Sequence, residues 1–169
     1  MTMTESSTFF IKEFNLSGTV ESIIEEQNQI MTGHYLNDID LKNGVREYLE
    51  ILRGRNVRMC VASATPKPLI EACLKRLGVL DYFEFIMSCE EVGSGKSKPD
   101  VYYACAKRFN VNVQDIAVYE DTIFAGTTAK KADFYLIGVY DDAAGDSWKD
   151  IVELADETII DWADSCRNL

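Results

Sequence analysis

Histidine is all but absent from these 169 residues, His34 being the single one. Chemistry built on a histidine dyad or a His-rich zinc site is thereby nearly excluded. Positive charge is scarce as well: 17 Lys and Arg face 28 Asp and Glu, for a formal net charge of -11. That balance disfavours a nucleic-acid partner, because polyphosphate binding relies on clustered Lys and Arg, and it speaks mostly to solubility. No apolar run approaches the roughly 20 residues needed to span a bilayer, and the N-terminus lacks the charged-then-apolar form of a signal peptide. A soluble, cytoplasmic protein with no membrane partner is expected. The five cysteines are odd in number and widely spaced, and they form no C-x-x-C pair. Reduced, structural thiols follow. Proline and glycine are modest, at 3 and 10, while 47% of the residues are hydrophobic. The chain is long enough for one domain with a sizeable core and a small appendage.

What is present begins with a polar stretch, residues 1 to 6, expected to fray. Thr8 to Phe14 fits the end of an amphipathic helix about as well as a short strand. Val20, Ile23, Ile24, Ile30 and Met31 recur at helical spacing, with Thr19 or Ser17 available as a cap. Tyr35 to Lys42 reads as a connector, and Val45, Tyr48, Leu49 and Leu52 mark a helix ending near Gly54. From there strands and helices alternate. Strands are expected at Val57 to Ala62, Tyr82 to Met87, Ile116 to Tyr119, Phe134 to Tyr140 and Thr158 to Ile160. Helices are expected at Lys67 to Leu77, Pro99 to Phe109, Ile123 to Ala132 and Trp148 to Ala155. This rhythm implies βαβ units, hence an α/β fold with a parallel sheet covered by helices on both faces.

Three of these strand ends carry polar residues, and in open α/β sheets ligands collect at strand C-termini. The first expected strand empties into Ser63-Ala64-Thr65, a hydroxyl and backbone N-H groups just before a helix, suited to an anion. Gly95-Lys96-Ser97-Lys98-Pro99-Asp100 places a lysine in a turn before the next helix. Ile116-Ala117-Val118-Tyr119 stops on Glu120-Asp121, two adjacent carboxylates suited to a cation. A hydrogen-bonding cradle, a fixed positive charge and a divalent cation are what phosphoryl transfer needs. Taken singly, each has a plainer reading as a helix cap, a surface lysine or a solvated acidic loop.

The order Val61-Ala62-Ser63-Ala64-Thr65, Gly95-Lys96-x-x-Pro99-Asp100, Val118-Tyr119-Glu120-Asp121-Thr122 resembles motifs II, III and IV of the haloacid dehalogenase superfamily. It is most similar to the branch of beta-phosphoglucomutase and phosphoglycolate phosphatase, over residues 40 to 161. The resemblance implies a HAD-like, Rossmann-like core from residue 41 to 169, preceded by a partial helical cap over residues 1 to 40. It implies that Ser63 and Ala64 bind the transferring phosphoryl group, that Lys96 neutralises it, and that Glu120 and Asp121 hold Mg2+. The substrate class it implies is a small phosphorylated metabolite. Two positions depart from the pattern: Ala125 and Asp133 stand where many relatives have Gly.

Motif I, Asp-x-Asp-Gly-Thr at the end of the family's central strand, is not found, and with it the nucleophile of the aspartyl-phosphate mechanism is missing. Asn15-Leu16-Ser17-Gly18-Thr19 has its outline without the acids. Asp38-Ile39-Asp40 has the acids without an apolar strand leading in. The expectation is a truncated phosphatase or phosphomutase, inactive alone, whose central slot must be filled by Phe9 to Phe14, by a partner chain in a homo-oligomer or strand-swapped dimer, or by an absent segment. A catalytically dead module binding a phosphorylated ligand or a protein partner is the alternative. A phosphorelay receiver-like domain fits less well, since its phosphoacceptor Asp is missing too.

Overall fold

The apolar runs after residue 44 become five parallel strands, divided between two sheets rather than gathered in one. The computed structural model describes residues 3–169. In chain order, α1 (Met3–Phe14) and α2 (Val20–Asn37) form a hairpin, and α3 (Val45–Gly54) leads into β1 (Cys60–Ser63) and α4 (Lys67–Arg76). Next come β2 (Phe85–Ser88), α5 (Cys89–Val92), α6 (Asp100–Phe109), β3 (Ala117–Glu120) and α7 (Ile123–Lys131). The chain ends with β4 (Tyr135–Val139), α8 (Trp148–Leu154), β5 (Glu157–Ile159) and α9 (Trp162–Asn168). One sheet pairs β1 with β2, matching Cys60 to Phe85 and Ser63 to Ser88. The other runs β3-β4-β5, matching Val118 to Leu136 and Gly138 to Thr158.

Helices cover both faces, as two apolar clusters show. On one face, Val101, Cys105 and Phe109 of α6 pack with Ala129 of α7, Phe85, Val118, Phe134 and Leu136. The apolar positions of α6 fall one helical turn apart, so a single stripe is buried, and Asn110 in the left-handed conformation ends the helix. Burying side chains such as Phe134 and Leu136 stabilises the fold by about 1.5–3 kcal/mol each. On the other face, Tyr48 of α3 meets Ile137, Ile159 and, from α9, Trp162 and Cys166. Gly138 lets α8 approach β4: a Cβ there would lie 2.7 Å from Cγ2 of Ile151. Asp133, at one of the two departures from the Gly pattern, adopts the left-handed φ of 64° that the position requires.

Several expectations need correction. Residues 3 to 6 do not fray, because α1 starts at Met3 and lies against α2, with Ser7 fully buried and donating to Gln27 at 3.2 Å; Met1 and Thr2 lie outside the described residues. Of the two readings open for Thr8 to Phe14, the helical one is realised, within α1. Tyr35 to Asn37 belongs to α2, which Thr19 caps through a reciprocal bond with Ser22. The α9 helix was unforeseen. β1, β2 and β4 are shorter than their apolar runs, since Val57 to Met59, Tyr82 to Glu84 and Phe134 lie outside the ladders, whereas β3 and β5 keep the expected length and shift by one residue. All five cysteines are free.

Phe9 to Phe14 is tied up in α1, and among the described residues no ladder joins β1 to β3. Between them lies a cleft of about 640 Å³, lined by Leu49, Leu52, Met59, Cys60, Ala117 and Tyr119 among others.

Candidate active site

Ser63 ends β1, and its hydroxyl accepts the N-H of Thr65 at 3.1 Å, which turns the backbone sharply before α4. Ala64, at the apex, is exposed. The Thr65 hydroxyl meets the Tyr35 hydroxyl at 3.1 Å, so the end of α2 is anchored to this turn. Arg76 of α4 strengthens the same junction by reaching the carbonyls of Tyr35 and Ile39.

Lys96 and Glu120 come together from separate elements. Lys96 lies in the turn before α6, and its Nζ donates to Oε1 of Glu120 at 2.5 Å. Glu120 is 6% exposed at the end of β3, where it also accepts the Tyr102 hydroxyl at 2.9 Å. A buried carboxylate needs such compensation, because an unpaired charge in this setting costs several kcal/mol. Burial, followed by the negative charge of Glu120, pushes the Tyr102 phenol well above its ordinary range, so it remains a donor. Burial likewise raises the Cys89 thiol, which sits near the pair and stays protonated. Asp121, the next residue, is exposed, in contrast to its neighbour.

Of the residues singled out from sequence, Lys96 and Glu120 are thus in direct contact. Ser63, Ala64 and Asp121 occupy the C-terminal ends of strands in the two different sheets. Neither motif I outline is at a strand end. Asn15 follows α1 with φ 49°, and Asp38 caps the end of α2. His34 is exposed and pairs with Asp38 at 2.9 Å, and the two tryptophans pack against Tyr48, Tyr119 and Tyr140. Sequence reasoning missed Tyr102 and Tyr35. Tyr102 carried a signal, since a tyrosine within an apolar helical stripe needs a partner for its hydroxyl. Tyr35 carried none.

Magnesium takes oxygen ligands, often one or two carboxylates completed by water and phosphate oxygens. Glu120 and Asp121 fit that donor chemistry. As placed, Asp121 offers a free carboxylate, whereas Glu120 is engaged by Lys96 and Tyr102. Among the described residues no group of three acids, histidines or cysteines gathers to hold a metal.

The family described as haloacid dehalogenase-like hydrolase matches residues 8–133. A phosphorylated carbohydrates phosphatase of Thermotoga maritima is 32% identical over 89 residues, which are 53% of this chain and 41% of that protein. A beta-phosphoglucomutase of Bacillus subtilis is 30% identical over 101 residues, 59% of this chain and 43% of that protein. The matches therefore span less than half the length of these curated relatives. Among solved structures, a beta-phosphoglucomutase from Clostridium difficile superposes with a TM-score of 0.78 at 20% identity, covering 97% of this chain and 73% of that one. A predicted phosphoglycolate phosphatase from Haemophilus somnus gives 0.77 at 18% identity, covering 98% and 75%. With the family's sequence pattern running from α1 through α7 and the α/β fold shared with these structures, the chain belongs to the haloacid dehalogenase-like hydrolases.

Proposed function

We propose that the chain carries one part of a phosphoryl-transfer site for a small phosphorylated sugar or related metabolite, and that it does not turn over substrate by itself. The observation that carries this reading is the buried Lys96–Glu120–Tyr102 cluster beside the exposed Asp121. A fixed ammonium and a cation-binding carboxylate at one sheet edge suit a dianionic phosphoryl group. Relatives named as acting on such compounds include a fructose-1-phosphate phosphatase of Escherichia coli. In this reading the Ser63 hydroxyl and the Ala64 N-H donate to phosphoryl oxygens, and Lys96 neutralises their charge. Asp121, with Glu120, holds Mg2+, which when bound would polarise the phosphoryl group. The α1–α2 hairpin is read as part of a cap over the site. The acids that follow the neighbouring strands are engaged elsewhere, Asp141 after β4 by Lys42 and Glu91 after β2 by Lys67, and the sequence holds no Asp-x-Asp-Gly-Thr, so the inactive reading is preferred to an active phosphatase.

The test uses calorimetry on the purified chain with Mg2+ and inorganic phosphate, together with a phosphate-release assay on sugar phosphates. Binding of both, with Mg2+ binding lost in Asp121→Ala and phosphate binding lost in Ser63→Ala, and with no turnover, is the expected result. Failure to bind either ion would overturn the site. Magnesium-dependent hydrolysis abolished by Asp121→Ala would overturn the claim of inactivity.

A further inference from the structure

Three of the five free cysteines belong to one region of the core. Cys89, which opens α5, and Cys105 of α6 are buried in the same apolar cluster, and Cys60 of β1 packs against it. The other two lie apart. Cys73 is on α4, within 3.9 Å of Arg76, and Cys166 of α9 donates to the Gly44 carbonyl at 3.6 Å. Burial in apolar surroundings ordinarily makes a thiol inert, because it suppresses the thiolate. Cys89 follows that rule, its thiol being pushed up by burial.

Cys60 and Cys105 behave as a pair. Their side chains meet where α6 packs on β1, with the Cys60 thiol donating toward the Cys105 sulfur. That contact, reinforced by burial, pushes Cys60 up. The same contact pulls Cys105 down against the opposing effect of burial, helped by the positive charges of Arg108 and Lys96. Arg108 is held in place by its guanidinium resting 4.2 Å over the Phe85 ring, inside the same cluster. One sulfur is thus acidified in an electropositive setting while its neighbour keeps a proton, which is the environment of a reactive thiol rather than an inert one. Access comes from the cleft beside β1. Cys60 borders it and is only half-buried, and Phe109, one turn beyond Cys105 on α6, borders it too. A space of about 640 Å³ admits water and molecules of similar size.

We propose that Cys60 and Cys105 are an oxidisable thiol pair, which hydrogen peroxide converts reversibly into a disulfide linking β1 to α6. The Cys105 thiolate attacks one peroxide oxygen, the O–O bond breaks, and the departing hydroxide takes up a proton as water, leaving a sulfenic acid on Cys105. Cys60 then gives up its proton and attacks that sulfur, the S–O bond breaks, and a second water departs. Two thiols and one hydrogen peroxide become one disulfide and two waters, so both sulfurs are oxidised and the peroxide is reduced. A small dithiol restores the pair by exchange. An S–S bond of about 2.05 Å is shorter than any non-bonded contact between two sulfurs, so closing it draws α6 toward β1. Tyr102 lies one turn from Cys105 on the same buried stripe and donates to Glu120 at 2.9 Å, and Lys96 precedes the same helix. The bearing on the site rests on the function proposed above: closure shifts Tyr102 and Lys96 relative to Glu120 and weakens phosphate binding.

The experiment treats the purified chain with hydrogen peroxide, alkylates the remaining thiols and maps the digest by mass spectrometry without reductant. The expected product joins the Cys60 and Cys105 peptides within one chain and leaves the other three cysteines alkylated, and dithiothreitol should return all five free thiols. In Cys60→Ala the sulfenic acid on Cys105 should persist and be trapped by dimedone. In Cys105→Ala neither a disulfide nor a dimedone adduct at Cys60 should form. The wild-type map stands even where a variant fails to fold. No joined peptide, a bond from Cys105 to Cys89 instead, or disulfides between chains alone would each overturn the proposal. Calorimetry with inorganic phosphate then compares the oxidised and reduced forms, and a dissociation constant raised about fivefold or more on oxidation is expected. Equal affinity would overturn the link to the site. Formation of the disulfide with no phosphate binding in either form would leave the thiol pair standing and count against the phosphoryl-transfer reading alone.

Discussion

Replacing Lys96 by Met removes an ammonium while keeping most of the side-chain volume, and it strands the Glu120 carboxylate with the Tyr102 hydroxyl as its remaining partner. Removing one member of a buried ion pair typically costs about 3–5 kcal/mol, because the other charge stays desolvated. The Lys96 side chain is 19% exposed and that of Glu120 only 6%, so some water reaches the pair from the lysine side. The expected loss therefore lies at or below the lower end of that range, roughly 2–3 kcal/mol. At about 2–4 °C per kcal/mol for a protein of this size, Tm should fall by roughly 4–12 °C. Glu120→Gln retains an acceptor for Tyr102 and leaves Lys96 a route to solvent, so it should cost less, about 1–2 kcal/mol. The double variant Lys96→Met/Glu120→Gln carries no buried charge and should be more stable than Lys96→Met alone. Urea unfolding of the four proteins closes the cycle. A Lys96→Met loss below about 0.5 kcal/mol, or a coupling energy near zero, would refute the claim that this pair is a buried, interdependent unit.

Gly138→Ala drives a methyl to within 2.7 Å of Ile151 and should cost about 1–3 kcal/mol by forcing α8 off β4, measurable as a lowered Tm. Tyr35→Phe removes the hydroxyl bond to Thr65, costing no more than about 1 kcal/mol globally, while amide exchange should quicken in α2 more than in β1. The Asp156 carboxylate is held below its ordinary range by the Lys130 ammonium and then by the Leu136 N-H. Its contribution is complete above the unfolded value of roughly 3.9 and disappears as pH falls through the lower folded value. Asp156→Asn should accordingly lower Tm at pH 7, and the gap from wild type should close as the pH is taken well below 4. A gap that widens on acidification would contradict the assignment.

Alternating apolar runs made the strands and most helices legible, because buried parallel strands need consecutive Val, Ile and Leu and their crossover helices need a single stripe. The α9 helix was illegible for the opposite reason: Trp162 and Cys166 are its main apolar contacts, too few to set a period. The N-terminal helix was obscured because Ser7, a polar residue, is its fully buried position. At the site, residue type and order were enough to single out Ser63, Lys96, Glu120 and Asp121. Which acid is buried and which exposed depends on Tyr102 and Lys96 arriving from α6 and the turn before it, and adjacent positions in a sequence do not disclose that.

The division of the sheet bears directly on the chemistry. Ser63 belongs to one ladder, while Glu120 and Asp121 belong to the other, and no hydrogen-bonded ladder fixes the distance between them among the described residues. Rate enhancement by electrostatic preorganisation requires donors and charges held within a fraction of an ångström of the reacting group. Lys96 is held to Glu120 of β3, while the helix it precedes, α6, packs on β1 and β2, so the lysine links the two sheets. A ligand that reaches both Ser63 and Asp121 therefore meets groups whose spacing is set by the shared core and the packing of α6 rather than by a ladder.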